Sequence, residues 1–511
     1  MAGTNFSEED CRLMDDCFQL NWHGKEESFQ VSQTPAKGTL IPCREESRNW
    51  NATGNLYLEG DNLEILKLLQ PEFGGRIRMI YIDPPYNTGK DFIYSDNFYD
   101  SKTQYWKKTG AKHQTNGRYH TGWLNMMYPR LLLAYSLLAE DGVIFLSIDD
   151  NELDNLIKIC GEVFGEDNYI NLITVKTKTS SGASGGGEDK RLKKNTEYVL
   201  MYAKNKDKMI LRQPTEKIRI SDYIREHRSA GIGFYYTRIL EDEGKKELLC
   251  ERDGLKIYVH RHFRFSTVNE KRKQENLSED EVYSRYFSKI FMVTNAQTSL
   301  LIKVNQVTPE NRMLISYEYV PKTGRSKGKR ITKYVWNKTL IVWLSDSAVK
   351  EKNRVYKRAA LGTLWDDISW GRLDLEGEVP FKNGKKPLKL LDRMLSMVTD
   401  RDSVVLDFFS GSATTAHAVM NRNAQDGGSR RFIMVQLPEP IDQSDAAYRK
   451  GYRTICEIGK ERIRKAGDAL ISEYGASSAG DTGFRVYRLN LVEDECGENQ
   501  DRQREKENAA K

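Results

Sequence analysis

The chain has 511 residues, 39% hydrophobic and 30% charged, with a formal net charge of +6 at pH 7. That length is more than one ordinary domain holds, so two or three lobes with apolar cores are expected. No run approaches the roughly 18 consecutive apolar residues of a membrane span, and the stretch from Met1 to Asp16 lacks a basic-then-apolar leader pattern. The seven cysteines are scattered with no Cys-x-x-Cys pair, which argues against zinc and against a disulfide framework and fits a reducing cytoplasm.

Residues 1–50 carry mixed charge with little periodicity and read as an N-terminal arm, partly ordered. A short strand is expected at 55–58, and 62–69 spaces its apolar residues like one helix face. Residues 78–82 form a buried strand that stops at two prolines, which cannot continue a ladder. A long helix at 123–138, an Asp141-Gly142 turn, a strand at 143–148 and a helix at 152–164 follow. Helices alternating with single apolar strands imply a parallel sheet covered on both faces. Residues 180–187, rich in Gly and Ser, read as a flexible loop, and 197–203 as a further strand.

From 211 to 360 the texture becomes irregular, aromatic and basic, with 31 Lys+Arg against 18 Asp+Glu, a surplus of 13. This exceeds the surplus of the whole chain, so the remainder is net acidic. A local positive field suits a polyphosphate partner, because neutralised phosphates release counterions, and it equally suits a solubilising surface. The α/β pattern then resumes, with helices at 388–398, 414–421 and 448–469 and strands at 403–406, 431–437 and 484–489. The expected division is an arm (1–50), an α/β half (51–210), an inserted basic domain (211–360), a second α/β half (361–490) and a disordered charged tail (491–511).

Two segments carry chemistry. In the first, the buried strand delivers Asp83 to its C-terminal end, where open α/β sheets place their sites. Pro84 and Pro85 then stiffen the backbone and Tyr86 follows at once. The amine of a planar base needs such parts, because its lone pair is delocalised into the ring. A carboxylate and a peptide carbonyl that accept its two hydrogens localise that pair toward a methyl donor. Tyr86 can stack on the base, which must leave the duplex to be reached. The bland alternative is a proline-rich turn that closes a strand. In the second segment, a strand ends in Asp407, turns through Phe409, Ser410, Gly411 and Ser412, and opens a helix. Small residues let a cofactor approach the backbone, and the acid can pair with a cationic amine. The pattern is not Gly-x-Gly-x-x-Gly, which disfavours a dinucleotide-dependent dehydrogenase.

Asp83-Pro84-Pro85-Tyr86 resembles the catalytic motif of amino-methyltransferases, and residues 407–413 resemble their S-adenosylmethionine loop, Phe-x-Gly-x-Gly. Catalytic motif first, cofactor motif second and a target-recognition domain between them is the permuted beta-class order. The resemblance extends to the modification (Mod) subunits of type III restriction-modification systems. It runs through residues 58–63, 81–89, 119–131, 140–152, 362–368, Lys386-Pro387, 407–415 and 483–487, and leaves the middle of the chain unmatched. It implies a permuted class I (Rossmann-like) α/β methyltransferase sheet with an inserted target-recognition domain. The implied activity is site-specific methylation of adenine N6 in double-stranded DNA from S-adenosylmethionine, as a modification subunit with a restriction (helicase-nuclease) partner, and dimerisation is a family expectation.

Carried over residue by residue, the resemblance gives Asp83 and the Pro84 carbonyl the target amine, and gives Tyr86 the base. Asp407 and the turn from Phe409 to Ser412 take the methionine part of the cofactor. Asp61 approaches the adenosine or caps the helix that follows it. Ala413 stands where the family usually has its second glycine, and Gln436 where a ribose-binding acid is common. Cytosine-N4 methylation and a DNA reader with impaired activity are the rival readings. In the basic turn 321–333, Lys322, Arg325, Lys327, Lys329 and Arg330 can grip phosphates or form a solvated hairpin. His113 and His120 read as loop surface, Asp149-Asp150 and Asp366-Asp367 as strand-end and loop acids, and no metal is expected.

Overall fold

Apolar runs buried on both faces make the strands at the centre of the protein, and all six side chains of Ile77–Ile82 are buried. The structure, a computed structural model, describes residues 20–88, 117–178, 192–252, 254–308, 313–322, 327–381 and 384–491. Two compact units are present: residues 1–214 with 362–511, and residues 215–361. The expected flexible loop at 180–187, His113, Arg325 and the tail beyond Leu491 lie outside the described residues.

In the first unit, ten strands among the described residues form one sheet. They are β1 (Gly38–Pro42), β2 (Leu56–Glu59), β3 (Ile77–Ile82), β4 (Leu138–Ile148), β5 (Tyr169–Lys176), β6 (Thr196–Ala203), β7 (Leu364–Trp365), β8 (Val404–Asp407), β9 (Arg431–Gln436) and β10 (Arg485–Leu491). Their spatial order is β1-β10-β2-β9-β8-β3-β4-β6-β5-β7. The run from β10 to β4 is parallel, and β6 is antiparallel to both of its neighbours. The two sequence halves therefore interleave: β8 and β9, from beyond the insert, lie between β2 and β3. Registers Val405↔Met79 and Leu406↔Ile80 bring the ends of β8 and β3 side by side.

Helices cover both faces. The helices α1 (Lys25–Gln33), α2 (Asn62–Phe73), α3 (Gly117–Leu137), α4 (Leu153–Phe164), α5 (Leu388–Val398), α6 (Thr414–Asp426) and α7 (Ile455–Tyr474) belong to this unit. Ile65, Trp123, Leu131 and Ile159 from α2–α4 pack with Ile80 and Leu406 on one face. Leu391, Met394, Ala416 and Ile463 from α5–α7 pack with Met79 and Val405 on the other. Each such fully buried large apolar side chain contributes about 1.5–3 kcal/mol.

Three expectations change. The described part of the arm is built into the unit: β1 pairs with β10, and Trp22 stacks edge-on against Tyr128 of α3 at 5.2 Å. A strand at the sheet edge needs little apolar periodicity, which is why the sequence hid it. Asp141-Gly142 is no separate turn but an irregularity inside β4, where the register slips between Ile77↔Leu138 and Met79↔Val143. The insert is not irregular: its described residues form an eight-stranded sheet and a three-stranded one. One face of the larger sheet packs Ile257, Val259, Ile315 and Val335 under Leu301 and Val304 of helix Ser299–Val307. The other face groups half-buried aromatics, including Phe265, Tyr334, Trp336 and Trp343, with Arg238 over the Trp336 ring at 4.4 Å. No helix among the described residues is long and apolar enough to cross a membrane.

Candidate active site

β3 carries Asp83 just past its last residue, with the backbone beyond held rigidly. Trp123 Nε1, from α3, donates to the Pro85 carbonyl at 2.7 Å. Asn87, with φ 57, turns the chain through the left-handed region. The Asp83 side chain is 12% exposed, and Lys386 Nζ lies 3.0 Å from its Oδ1. Lys386 Nζ also donates to the Tyr86 hydroxyl at 2.8 Å and lies 4.9 Å from the centre of that ring. Glu197 of β6 closes the group: its Oε2 accepts from the Tyr86 hydroxyl at 3.1 Å and from Lys386 at 3.4 Å. Burial pushes the Asp83 carboxyl up to about 6, with Lys386 pulling the other way and Glu197 adding to the rise.

One strand over, Asp407 ends β8 and is 2% exposed. Its Oδ2 accepts from Thr415 Oγ1 at 2.5 Å and its Oδ1 from the Phe409 amide at 3.1 Å. Burial raises its carboxyl to about 7, and the nearby Asp83 charge adds to that. Among the described residues it forms no ion pair, so this carboxylate is suited to a cationic group brought by a ligand. The turn from Phe409 to Ser412 leads into α6 through Ala413, which has φ 59 and ψ 39 and is fully buried. A glycine takes that conformation without penalty, which gives the physical reason for the family's preference. Gln436, at the end of β9, commits its Oε1 to the Gly411 amide at 2.7 Å and donates from Nε2 to the Leu437 carbonyl at 3.2 Å. Behind the turn, the buried guanidinium of Arg462 in α7 donates to Ser412 Oγ at 3.0 Å and Thr414 Oγ1 at 2.7 Å.

Asp61 caps α2: its Oδ1 accepts from the Leu63 and Glu64 amides at 2.8 and 3.3 Å. Its Oδ2 lies 3.2 Å from Arg130 Nη2. Asn62 Nδ2 donates to the Phe408 carbonyl at 2.7 Å, which ties this corner to the loop after β8. His120 is more than loop surface: Nδ1 lies 2.9 Å from Oε1 of the fully buried Glu152, and Glu152 also accepts from Asn87 and Asn155. That hydrogen bond raises the His120 pKa. Asp149 and Asp150 pair with Lys194, and Asp367 pairs with Arg393 and Lys389. In the insert, Lys322, Lys327, Lys329 and Arg330 are exposed between strands Leu314–Tyr319 and Ile331–Trp336.

From the sequence Asp83 and Asp407 each end a strand, and the structure sets those two strands side by side; Glu197, Glu152 and Arg462 were missed. Lys386 entered only as part of a Lys-Pro pair. Of these, only Lys386 left a sequence signal, because a lysine before a proline at a helix start is a fixed backbone position.

A sheet with a parallel centre, a carboxylate-Pro-Pro-Tyr turn on one strand and an acid-ended small-residue turn on the next defines a permuted class I methyltransferase fold. A family model described as DNA methylase matches residues 77–466, and the chain belongs to that family. It is 37% identical over 387 residues to the probable type III restriction-modification enzyme HindVI Mod subunit of Haemophilus influenzae, a match covering 75% of this chain and 49% of that one. It is 32% identical over 518 residues to the EcoPI Mod subunit of Escherichia phage P1, covering 94% and 72%. It is 29% identical over 427 residues to the type II methyltransferase M.KpnI of Klebsiella pneumoniae, covering 82% and 88%. The chain thus spans about half the length of the HindVI relative.

Proposed function

We propose that the protein is a site-specific DNA methyltransferase that modifies adenine N6 in a flipped-out base, with S-adenosylmethionine as donor, as the modification component of a type III restriction system. The observation that carries this reading is the adjacency of Asp83 and Asp407 on strands that the chain order separates by more than 300 residues. When bound, the cofactor supplies an electrophilic methyl group on a sulfonium. Asp407 fits its amino group, because a buried carboxylate without a cation is completed by one. The turn from Phe409 to Ser412, held by Gln436 and Arg462, fits the rest of the methionine part.

Asp83 and the Pro84 carbonyl accept hydrogen bonds from the two amine hydrogens, which frees the lone pair to attack the methyl carbon, with a neutral thioether as the leaving group and one proton shed from the nitrogen to solvent. Tyr86, pinned at its hydroxyl, offers a fixed ring for the base to stack on. The protein's contribution is then orientation and desolvation of two bound reactants. An acid at position 83 favours adenine over cytosine, for which Ser or Thr is the commoner residue. The insert, with its surplus of 13 positive charges, its exposed basic hairpin and its aromatic sheet face, supplies site reading on duplex DNA. A homodimer and a helicase-nuclease partner belong to the same reading.

Sequencing of modified bases in a host that expresses the chain tests the proposal. N6-methyladenine at one recurring site, lost in Asp83→Ala, is expected. Methylcytosine in its place redirects the substrate, and unmodified DNA sinks the proposal.

A further inference from the structure

Among the described residues the group around Asp83 contains one cation, Lys386, and its placement is specific. Lys386 lies on the segment that precedes α5, 300 residues from Tyr86 in sequence, and its side chain is 7% exposed. An ammonium buried to that degree is unfavourable unless anions and acceptors surround it. Three do: Asp83 Oδ1 at 3.0 Å, the Tyr86 hydroxyl at 2.8 Å and Glu197 Oε2 at 3.4 Å. The carbonyl of the same residue accepts from Thr414 Oγ1 at 3.4 Å, so this backbone also touches the first turn of α6. Lys386 is therefore tied both to the carboxylate-Pro-Pro-Tyr turn and to the helix that the cofactor loop opens.

We infer that Lys386 is a positioning residue for the proposed methyl transfer: it holds the Asp83 carboxylate in one orientation as an anion and, with Glu197, fixes the phenol of Tyr86. The inference rests on the methyltransferase reading given above. With its Oδ1 3.0 Å from the ammonium, the carboxylate is held as an anion that can accept an amine hydrogen. A carboxylic acid in its place would present a proton where an acceptor is needed. Among the described residues, the titratable and charged groups that face Asp83 are Tyr81 and Tyr86 from β3 and its loop, Glu197 from β6, Asp407 from β8 and Lys386. All but Lys386 are acids, so without it burial and like charge both favour a protonated Asp83. Lys386 does not take up the proton released by the amine, because its neighbours hold it in the charged form.

The test is single-turnover methylation of unmethylated DNA by the full chain from about pH 5.5 to about pH 9, with S-adenosylmethionine binding followed by calorimetry. For Lys386→Met a rate loss of at least about 100-fold near neutrality is expected, with the acid limb of the profile moved upward by at least about one pH unit. Cofactor affinity stays within about threefold, and Lys386→Arg restores the position of the limb. For Glu197→Gln, which removes a like charge and leaves the lysine, the limb moves to lower pH. A Lys386→Met limb coincident with that of the wild type overturns the inference. If Lys386→Met does not fold, a Glu197→Gln limb that is unmoved or raised overturns it instead. A wild-type chain that binds cofactor and transfers no methyl group overturns the underlying reading, and the inference with it.

Discussion

Ala413 and Gln436 depart from the family pattern: Ala413 sits in the turn that leads into α6, and Gln436, at the end of β9, accepts from the Gly411 amide of that turn. Ala413 holds φ 59 with its methyl fully buried. The left-handed conformation costs an alanine about 1 kcal/mol, and a glycine would relieve that. The same change loses about 0.8 kcal/mol of methyl burial and makes the unfolded chain more flexible by a similar amount. Ala413→Gly is therefore expected within about 1 kcal/mol of wild type in urea unfolding, whereas Ala413→Val, β-branched and larger, should lose several. Gln436 makes a more specific prediction. Its Oε1 is the partner of the Gly411 amide, and an orphaned amide costs about 1–3 kcal/mol. Gln436→Leu should thus weaken cofactor binding about tenfold or more by calorimetry. Gln436→Glu keeps the acceptor and should bind close to wild type.

Elements meet at Glu152, which precedes α4 and accepts from Asn87 after β3, from Asn155 in α4 and, at Oε1, faces His120 of α3. A leucine side chain in its place would leave those three polar groups without their shared acceptor in a buried place. Glu152→Leu is expected to lose at least about 3 kcal/mol of stability in urea unfolding and to cut methylation sharply; Glu152→Gln, which keeps an acceptor, should lose less. None of this was legible in the sequence. β3, β8 and β9 were, because strands buried on both faces read as unbroken apolar runs. The insert's sheet was not: a strand such as Lys245–Arg252, Lys-Lys-Glu-Leu-Leu-Cys-Glu-Arg, is mostly exposed and shows no alternation. The pair Asp83 and Asp407 could be read because each ends an apolar strand. Glu197 and Arg462 could not, because each reaches its partner through tertiary packing, and Lys386 showed only its place before Pro387 and not its partners.

The whole molecule feels the two buried acids through its stability. Asp407 titrates near 7 when folded, against an ordinary value of 3.8. The native chain therefore keeps a proton that the unfolded chain has already released. The stability this contributes is complete below the unfolded value and is lost as pH rises through about 7. Asp83, near 6, has the same sign over a narrower window. His417 has the opposite sign: burial lowers it to about 3, so the unfolded chain gains a proton first as pH falls below its ordinary 6.5. Comparison with a single variant separates these contributions. From about pH 5 to about pH 8, Asp407→Asn should gain roughly 2–4 kcal/mol relative to wild type in urea unfolding, because a tenfold difference in proton affinity between the folded and unfolded chain is worth about 1.4 kcal/mol. A saturating cofactor whose ammonium pairs with Asp407 favours the ionised carboxylate, so the wild-type loss over that range should shrink when it is present. Parallel wild-type and Asp407→Asn curves would show that the acid is not held near neutrality. An unchanged wild-type slope with cofactor bound would show that its amine pairs elsewhere.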